Sequence, residues 1–168
     1  MTKKILITDP LSAAGIDVLK NAGLEVIEIL DQDVDKMNAA LPEVEGWIIR
    51  SGTKIGAKAL GKASSLKAIG RAGVGVDNID IAAATSHGVV VMNTPGGNTV
   101  SAAEHTIALM MSLARNIPAG DSSMKAGRWD RKKLVGTELN GKTLGLIGLG
   151  RIGQEVARRA LGLQMKVI

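Results

Sequence analysis

Short apolar runs recur about every 21 residues along the first half of this chain, and they constrain its fold more than any other feature. They cover residues 5–7, 26–29, 47–49, 66–69 and 89–92, with helical patterning between them at 13–22, 34–41, 57–63 and 79–85. Strands that alternate with helices predict a parallel sheet that is covered on both faces. We therefore expect residues 3–93 to form a five-stranded, doubly wound, flavodoxin-like α/β unit.

A cluster of turn-forming residues at 94–98 predicts a boundary between two domains, at 1–97 and 98–168. After it, Ser101 and Glu104 match a capping box, with Ser101 as N-cap of a helix over 101–116. Apolar residues cover more than one face of this helix, so we expect it to be buried between domains or subunits. Residues 121–141 are expected to form a polar, basic connector, and residues 142–168 one strand–helix–strand unit.

The run GLGRIG at 148–153 lies between an apolar stretch at 143–147 and a helical segment at 154–161. A Gly-x-Gly-x-x-Gly turn between a strand and a helix is the dinucleotide fingerprint. Gly148 would allow the tight turn, Gly150 would let the backbone approach a pyrophosphate, and Gly153 would let the helix pack closely. A glycine-rich turn without a ligand is the alternative.

The acid that usually follows this fingerprint by about 20 residues would fall at or just past Ile168, the last residue of the sequence. The predicted strand at 165–168 also ends with the chain. We therefore expect an incomplete Rossmann segment in a fragment of a longer protein. Two strands and one helix bury little surface, so this segment should dock elsewhere, exchange with a partner chain or stay loose.

Composition limits the chemistry, the cellular location and the ligands that we expect for the chain. Cysteine is absent, which excludes disulfides and thiolate chemistry, and no apolar run is long enough to span a membrane. The first residues lack a signal-peptide pattern, so we expect a cytoplasmic protein without a membrane partner. The net charge of +5 suits an anionic metabolite and a dinucleotide. Cations crowd around Trp129 at 125–133; a solvated loop is favoured there over nucleic-acid binding or an arm that reaches a neighbouring subunit.

Ligands of doubly wound sheets bind beyond the carboxyl ends of the strands. Arg50 and Ser51 follow the third predicted strand, Gly73–Gly75 follow the fourth, and Asn98 lies in the boundary loop. Free N–H groups at 73–75 could hold a carboxylate, with Arg50 adding a charge-assisted hydrogen bond. Turn geometry for the glycines and a solvated charge for Arg50 are the alternatives. For the two histidines we expect helix capping at His87 and a packing or interface role at His105.

Taken in order, several motifs resemble the NAD-dependent D-2-hydroxyacid dehydrogenase family. They are RSGTK at 50–54, GRAGVGVDN at 70–78, MNTPGGN at 92–98, SAAE at 101–104, GTELNGK at 136–142 and GLGRIG at 148–153. The resemblance implies a substrate domain, a nucleotide domain, NAD as cofactor and a small phosphorylated 2-hydroxy acid as substrate. It also implies a homodimer, or an exchanged oligomer, built through the helix at 101–116, and it favours no nucleic-acid partner.

Carried over by position, the resemblance implies two sets of binding residues. The substrate set is Arg50, Ser51, Gly73, Val74, Gly75 and Asn98; the cofactor set is Val74, Gly148, Gly150, Arg151, Ile152 and Gly153. In the family a histidine, an arginine and an acid from the C-terminal half carry the catalysis. None is assigned here, and we expect the 168-residue chain alone to be inactive.

Two alternatives stay open at this point, and a third is disfavoured. Family members that act on hydroxypyruvate or D-lactate share these motifs. A non-enzymatic, flavodoxin-like oligomerisation module derived from such an enzyme is also possible. A signalling receiver needs an aspartate at the end of the third strand, where Arg50 and Ser51 stand instead.

Overall fold

A computed structural model of the chain describes residues 2–168. It divides into two compact units, Met1–Gly97 and Asn98–Ile168, so the boundary lies inside the 94–98 cluster. The first unit is a five-stranded parallel sheet with helices between the strands. The second is built from helices and a separate two-stranded parallel sheet.

The strands of the first unit are β1 (Lys4–Ile7), β2 (Glu25–Glu28), β3 (Gly46–Ile49), β4 (Ala68–Arg71) and β5 (Val90–Asn93). Their order across the sheet is β2-β1-β3-β4-β5, with every pair parallel, which confirms the flavodoxin-like prediction. In the register, Ile49 of β3 stands opposite Arg71 of β4, and Arg71 stands opposite Asn93 of β5. The carboxyl ends of these three strands therefore finish side by side.

Four helices connect the strands: α1 (Ala13–Asn21), α2 (Val34–Ala40), α3 (Ala57–Leu60) and α4 (Ile81–Ser86). Side chains cap three of them, since Ser12, Asp33 and Asp80 accept backbone N–H groups in the first turns of α1, α2 and α4. The core between sheet and helices is aliphatic apart from Trp47, and includes the fully buried Leu6, Ile49 and Ile69. This core holds the strand ends in fixed positions.

The second unit contains α5 (Thr99–Ala114), α6 (Ile117–Lys125), β6 (Thr143–Leu144), α7 (Arg151–Gly162) and β7 (Lys166–Val167). Helices α5 and α7 pack together, with Ala103 and Ala160 fully buried and an ion pair of 3.3 Å from Arg159 to Glu104. Strands β6 and β7 pair in parallel, and their hydrogen bonds continue to Leu146 N and Ile168 O. The predicted strand–helix–strand arrangement is thus present, with shorter strands.

Two sequence predictions in this unit are wrong. Ser101 is not the N-cap, because α5 begins at Thr99 after Asn98, and the Ser101 hydroxyl donates to Asn98 O at 3.1 Å. The predicted connector at 121–141 is partly helical, because α6 (Ile117–Lys125) extends into it, with Pro118 in the first turn of that helix. Proline suits that position, since its missing N–H would have no intrahelical acceptor there.

Candidate functional site

The carboxyl edge of the first unit brings together most of the predicted substrate residues. Arg50 and Ser51 follow β3 directly, and Gly73–Gly75 form the turn after β4. Both segments are partly or fully exposed at this edge. Asn98 belongs to the second unit, where it precedes α5, so its approach to the other substrate residues stays a prediction.

A buried carboxylate, Asp9, holds the Arg50 loop in place. Asp9 follows β1 and is only 5% exposed. Its Oδ2 accepts the Arg50 N–H at 2.7 Å and the Thr53 N–H at 3.1 Å. A Cβ on Gly52 would overlap Asp9 Oδ1, so the loop passes over the carboxylate only because Gly52 has no side chain. The loop is therefore shaped before any ligand arrives.

Asp9 forms no ion pair with a cation among residues 2–168, yet it is held in the charged form. Burial works to raise the pKa of Asp9, but hydrogen bonds from the backbone N–H groups of Arg50, Thr53 and Gly52 outweigh burial and lower it. Hydrogen bonds that favour the ionised form act in this direction. The carboxylate therefore fixes backbone donors rather than titrating near neutral pH.

Polar side chains on both sides of Asp9 complete this support. Thr8 Oγ1 accepts the Trp47 indole N–H at 2.9 Å and the Thr53 hydroxyl at 2.8 Å, while Thr8 O accepts Gln32 Nε2 at 2.6 Å. From the other side, Asn78 Nδ2 donates to Arg50 O and Thr53 O at 2.7 and 2.6 Å. The backbone that carries Arg50 and Ser51 is thus tied at several points, whereas the Arg50 side chain is exposed.

The glycine turn after β4 differs from its prediction in one respect. The Gly73 N–H is not free, because it donates to Arg71 O at 2.8 Å, and Gly73 O accepts the Thr94 N–H at 2.9 Å. Val74 O accepts Asn93 Nδ2 at 2.7 Å. Carbonyl groups of the turn are therefore committed to β5 and the residue after it, and any anion contact from its backbone must come from Val74 or Gly75.

The glycine turn of the second unit has the geometry that its sequence predicts. Gly148 adopts a φ of +97°, a left-handed conformation that favours glycine. A Cβ at Gly153 would overlap Gly148 O, whereas a Cβ at Gly150 would meet nothing within 4 Å. The first and third glycines therefore close the turn on itself, and the second leaves open space beside its backbone.

The N-terminus of α7 opens directly onto that space. Gly150 is its N-cap and provides no side-chain acceptor, so the first N–H groups of the helix, at Arg151, Ile152 and Gly153, have no intrahelical partner. Arg151 and Ile152 are exposed. Donors and a partial positive charge at a helix terminus suit a phosphate group. The residues present therefore fit the pyrophosphate of a dinucleotide.

The basic segment forms a compact turn after α6. Asp130 Oδ2 accepts the Ser123 hydroxyl at 2.9 Å and Arg128 Nε at 3.2 Å, and these bonds lower the pKa of Asp130. Trp129 is 77% exposed beside them. For this surface both the solvated loop and the intersubunit arm stay predictions.

His87 follows α4, and His105 lies within α5. His87 caps α4, where its Nδ1 donates to Ala83 O at 2.9 Å, which confirms the expected capping role. His105 is exposed on α5, and its interface role stays a prediction. Among residues 2–168, no three His, Cys, Asp or Glu residues come together in a way that could hold a metal ion.

A cavity of about 850 Å³ lies at the amino edge of the first sheet, opposite the carboxyl edge described above. Its cations are neutralised within the protein, since Lys4 pairs with Glu43 and Lys67 with Glu45. An anionic ligand would have to displace these carboxylates. The carboxyl edge, with its exposed Arg50, is therefore the better candidate for an anion.

Sequence reasoning missed Asp9, Thr53, Asn78 and Arg71 at this edge. Asp9 was detectable by the rule that singled out Arg50, since Thr8-Asp9-Pro10 also follows an apolar strand. Arg71 escaped because β4 extends to Arg71, two residues beyond the predicted strand. The supporting bonds of Thr53 and Asn78 join loops that are distant in sequence, and no local pattern announces them.

These features define a class: a doubly wound parallel α/β unit followed by a Rossmann-type segment with a dinucleotide turn. The model of the D-isomer specific 2-hydroxyacid dehydrogenase catalytic domain matches residues 5–162. The chain therefore belongs to this family.

Individual proteins that are similar to this chain support its assignment to the family. The chain is 52% identical over 165 residues to a D-3-phosphoglycerate dehydrogenase of Archaeoglobus fulgidus, covering 98% of this chain and 31% of the relative. It is similar to the crystal structure of the TT0316 protein of Thermus thermophilus, with a TM-score of 0.90, 36% identity and coverage of 98% and 54%. It is also similar to an NAD⁺-bound 3-phosphoglycerate dehydrogenase of Entamoeba histolytica, with a TM-score of 0.80, 32% identity and coverage of 99% and 53%. The chain thus spans 31% of the length of the curated relative that it matches.

No helix within residues 2–168 has the length and apolar character needed to cross a membrane.

Proposed function

We propose that this chain works in an NAD-dependent oxidoreductase that passes hydride between NAD and the 2-hydroxyl of 3-phosphoglycerate. The observation that carries the proposal is the glycine turn at 148–153, whose φ values, open space and free helix terminus suit a dinucleotide. Similarity to D-3-phosphoglycerate dehydrogenases over nearly the whole chain supports the substrate. The cytoplasm is the setting we propose for it.

The second unit would hold the cofactor. Gly148, Gly150 and Gly153 shape the turn, and the backbone N–H groups at Arg151 and Ile152 would donate to the pyrophosphate, with the Arg151 guanidinium nearby. When bound, NAD supplies the hydride acceptor, or NADH the hydride donor. We also propose that Val74 contributes to cofactor binding, where its apolar side chain offers packing and no hydrogen bond.

The first unit would hold the substrate. Arg50 would pair with an anionic group, and Ser51 would offer its hydroxyl. Val74 and Gly75 would offer backbone N–H groups, from loops that Asp9 and Asn93 hold in place. Gly73 would act through the room that it leaves, since its N–H is already bonded to Arg71. We also propose Asn98 as a substrate-binding residue.

None of the residues 2–168 is assigned to proton transfer. His87 is committed to a helix end and His105 is exposed on α5. We expect the purified 168-residue chain to show no turnover with 3-phosphohydroxypyruvate and NADH. A rate above that of a buffer control would contradict this expectation.

A crossed titration tests the two binding roles independently. NADH and 3-phosphoglycerate are titrated separately into the wild type, Arg50→Gln and Gly150→Val. We expect Arg50→Gln to weaken 3-phosphoglycerate only and Gly150→Val to weaken NADH only, because each variant alters one unit. Heat of dilution alone from both ligands in the wild type would contradict the proposed function.

The exposed apolar residues of α5 bear on the oligomeric state that we propose. Within the described chain α5 buries only Ala103, while Val100, Leu109 and Leu113 are 51%, 58% and 82% exposed. Exposed apolar surface of this kind is typical of an interface. We propose a homodimer through α5, which light scattering would test: Leu109→Glu combined with Leu113→Glu should yield a monomer from a wild-type dimer. A wild-type monomer would contradict this part alone.

A further inference from the structure

Arg71 is a cation without a partner at the carboxyl edge of the first sheet. It is the last residue of β4 and is partly buried. Among residues 2–168, no carboxylate lies within ion-pair distance of its guanidinium. Its Nε is buried and donates to no acceptor in the described residues.

A partly buried guanidinium without a hydrogen-bond acceptor costs free energy unless a ligand supplies the acceptor. A guanidinium stays charged at any ordinary pH and can only donate hydrogen bonds. A buried donor without an acceptor loses its hydration and gains nothing in return. Oxyanions are the ligands that suit a guanidinium best, since two parallel N–H groups match two oxygens.

The surroundings of Arg71 keep its guanidinium at the site. A Cβ on Gly73 would overlap Arg71 Nη1, so the side chain lies over the glycine turn. Gly73 therefore provides room for a cation, rather than the free N–H that its sequence suggests.

Arg50 supplies a second cation on the neighbouring strand. Ile49 of β3 stands opposite Arg71 of β4, and neighbouring strands lie about 4.8 Å apart. Arg50 is therefore one residue beyond the partner of Arg71, on the neighbouring strand. The Arg50 side chain also has no carboxylate partner among residues 2–168. Two uncompensated cations at one edge suit a ligand with two anionic groups.

We propose that Arg71 is a specificity-determining residue that selects 2-hydroxy acids bearing a second anionic group, with Arg50 and Arg71 each neutralising one group. This inference rests on the proposed function, since it takes the ligand to be a 2-hydroxy acid. Arg71 would thus favour 3-phosphoglycerate over 2-hydroxy acids whose only anionic group is the carboxylate, such as D-glycerate and D-lactate.

The test compares two ligands that differ only in the phosphate, D-glycerate and 3-phosphoglycerate, with inorganic phosphate as a third probe. Their affinities are measured by NMR titration of the wild type, Arg71→Gln, Arg71→Lys and the control Lys62→Gln, which removes an exposed cation of the same unit. We expect Arg71→Gln to weaken 3-phosphoglycerate by about 10- to 100-fold, the range of one or two charge-assisted hydrogen bonds, and D-glycerate by less than about twofold. Arg71→Lys should fall between, and Lys62→Gln should match the wild type.

Each outcome separates this inference from the proposed function. Wild-type selectivity in Arg71→Gln overturns the inference and leaves the proposed function standing. An equal loss for both ligands overturns it as well, since that pattern reports a structural role. Phosphate that shifts the Arg71 Nε–H resonance without any binding of 3-phosphoglycerate supports an oxyanion site at Arg71 and overturns the substrate. Binding of none of the three probes to the wild type overturns both.

Discussion

The carboxyl edge of the first unit and the glycine turn of the second both present backbone N–H groups, yet they are built in different ways. At the carboxyl edge, buried polar side chains hold the loops: Asp9 binds the Arg50 and Thr53 N–H groups, and Asn78 binds their carbonyls. At 148–153 the turn depends on side chains being absent, since Gly148 needs a positive φ and Gly153 needs space.

The helix termini show the same difference. Side chains cap α1, α2 and α4 in the first unit, whereas no side chain caps α5, α6 or α7 in the second. A capped terminus has its donors satisfied, and an uncapped terminus leaves them for a ligand or water. The comparison teaches that the first unit uses its polar groups to shape loops, while the second keeps the donors of α7 available.

The largest loss of stability is expected when the Asp9 carboxylate is removed. Asp9→Ala would leave the backbone donors of the Arg50 loop buried without an acceptor, which should cost about 2–4 kcal/mol of unfolding free energy. Asp9→Asn retains the volume and one acceptor oxygen, and should cost roughly 1 kcal/mol. Urea unfolding followed by the fluorescence of the buried Trp47 measures both. Equal stability of Asp9→Ala and the wild type would show that the loop does not depend on this carboxylate.

In the second unit the matching change is Gly153→Ala. The added Cβ meets the backbone oxygen of Gly148, so the turn must shift, at a cost of about 1–3 kcal/mol. Gly145→Ala is the control, because a Cβ there meets nothing within 4 Å. Amide hydrogen exchange in α7 should quicken in Gly153→Ala only. Faster exchange in both variants would mean that the strand, and not the turn, is sensitive.

The pH dependence of stability sharpens the role of Asp9. Its pKa is lower in the folded chain than its ordinary value, so its contribution is full above about pH 4 and is lost as the pH falls through the folded pKa. The difference in unfolding free energy between the wild type and Asp9→Asn should therefore shrink as the pH is lowered from about 6 to 3. A difference that stays constant over this range would contradict an ionised Asp9.

The smallest effect on stability is expected at Asn98. Its side chain makes no cap hydrogen bond to α5, so Asn98→Ala should change stability by less than about 0.5 kcal/mol. Asp80→Ala, which removes the side-chain cap of α4, should cost about 1 kcal/mol. Thermal melts of the two variants provide the comparison. Destabilisation by Asn98→Ala as large as that by Asp80→Ala would assign Asn98 a structural role instead of the proposed substrate contact.

Much of the fold could be predicted because burial leaves a local trace. The apolar runs at 5–7 and 47–49 fall inside β1 and β3, and the flavodoxin-like order follows from strands alternating with helices. The glycine turn was equally legible, since the motif at 148–153 requires a conformation that few other residues adopt.

The features that sequence reasoning missed depend on contacts between distant residues. Asp9 and Arg50 are 41 positions apart, and nothing near Asp9 reveals that its partner is a backbone N–H. The Gly73 N–H was wrongly expected to be free, because its acceptor, Arg71 O, depends on where β4 ends. Ser101 matched a capping box, but α5 begins two residues before it, so that the serine lies within the first turn.

We propose that the 148–153 turn holds a diphosphate through its backbone N–H groups. Titration of NADH into the ¹⁵N-labelled chain tests it most directly, with Gly150→Val as the comparison because its side chain would fill the open space. We predict weak binding that shifts the amide resonances of 149–153 first, and no such shifts in Gly150→Val. Shifts of equal size in both proteins, or shifts only at residues outside 149–153, would contradict a diphosphate site at this turn.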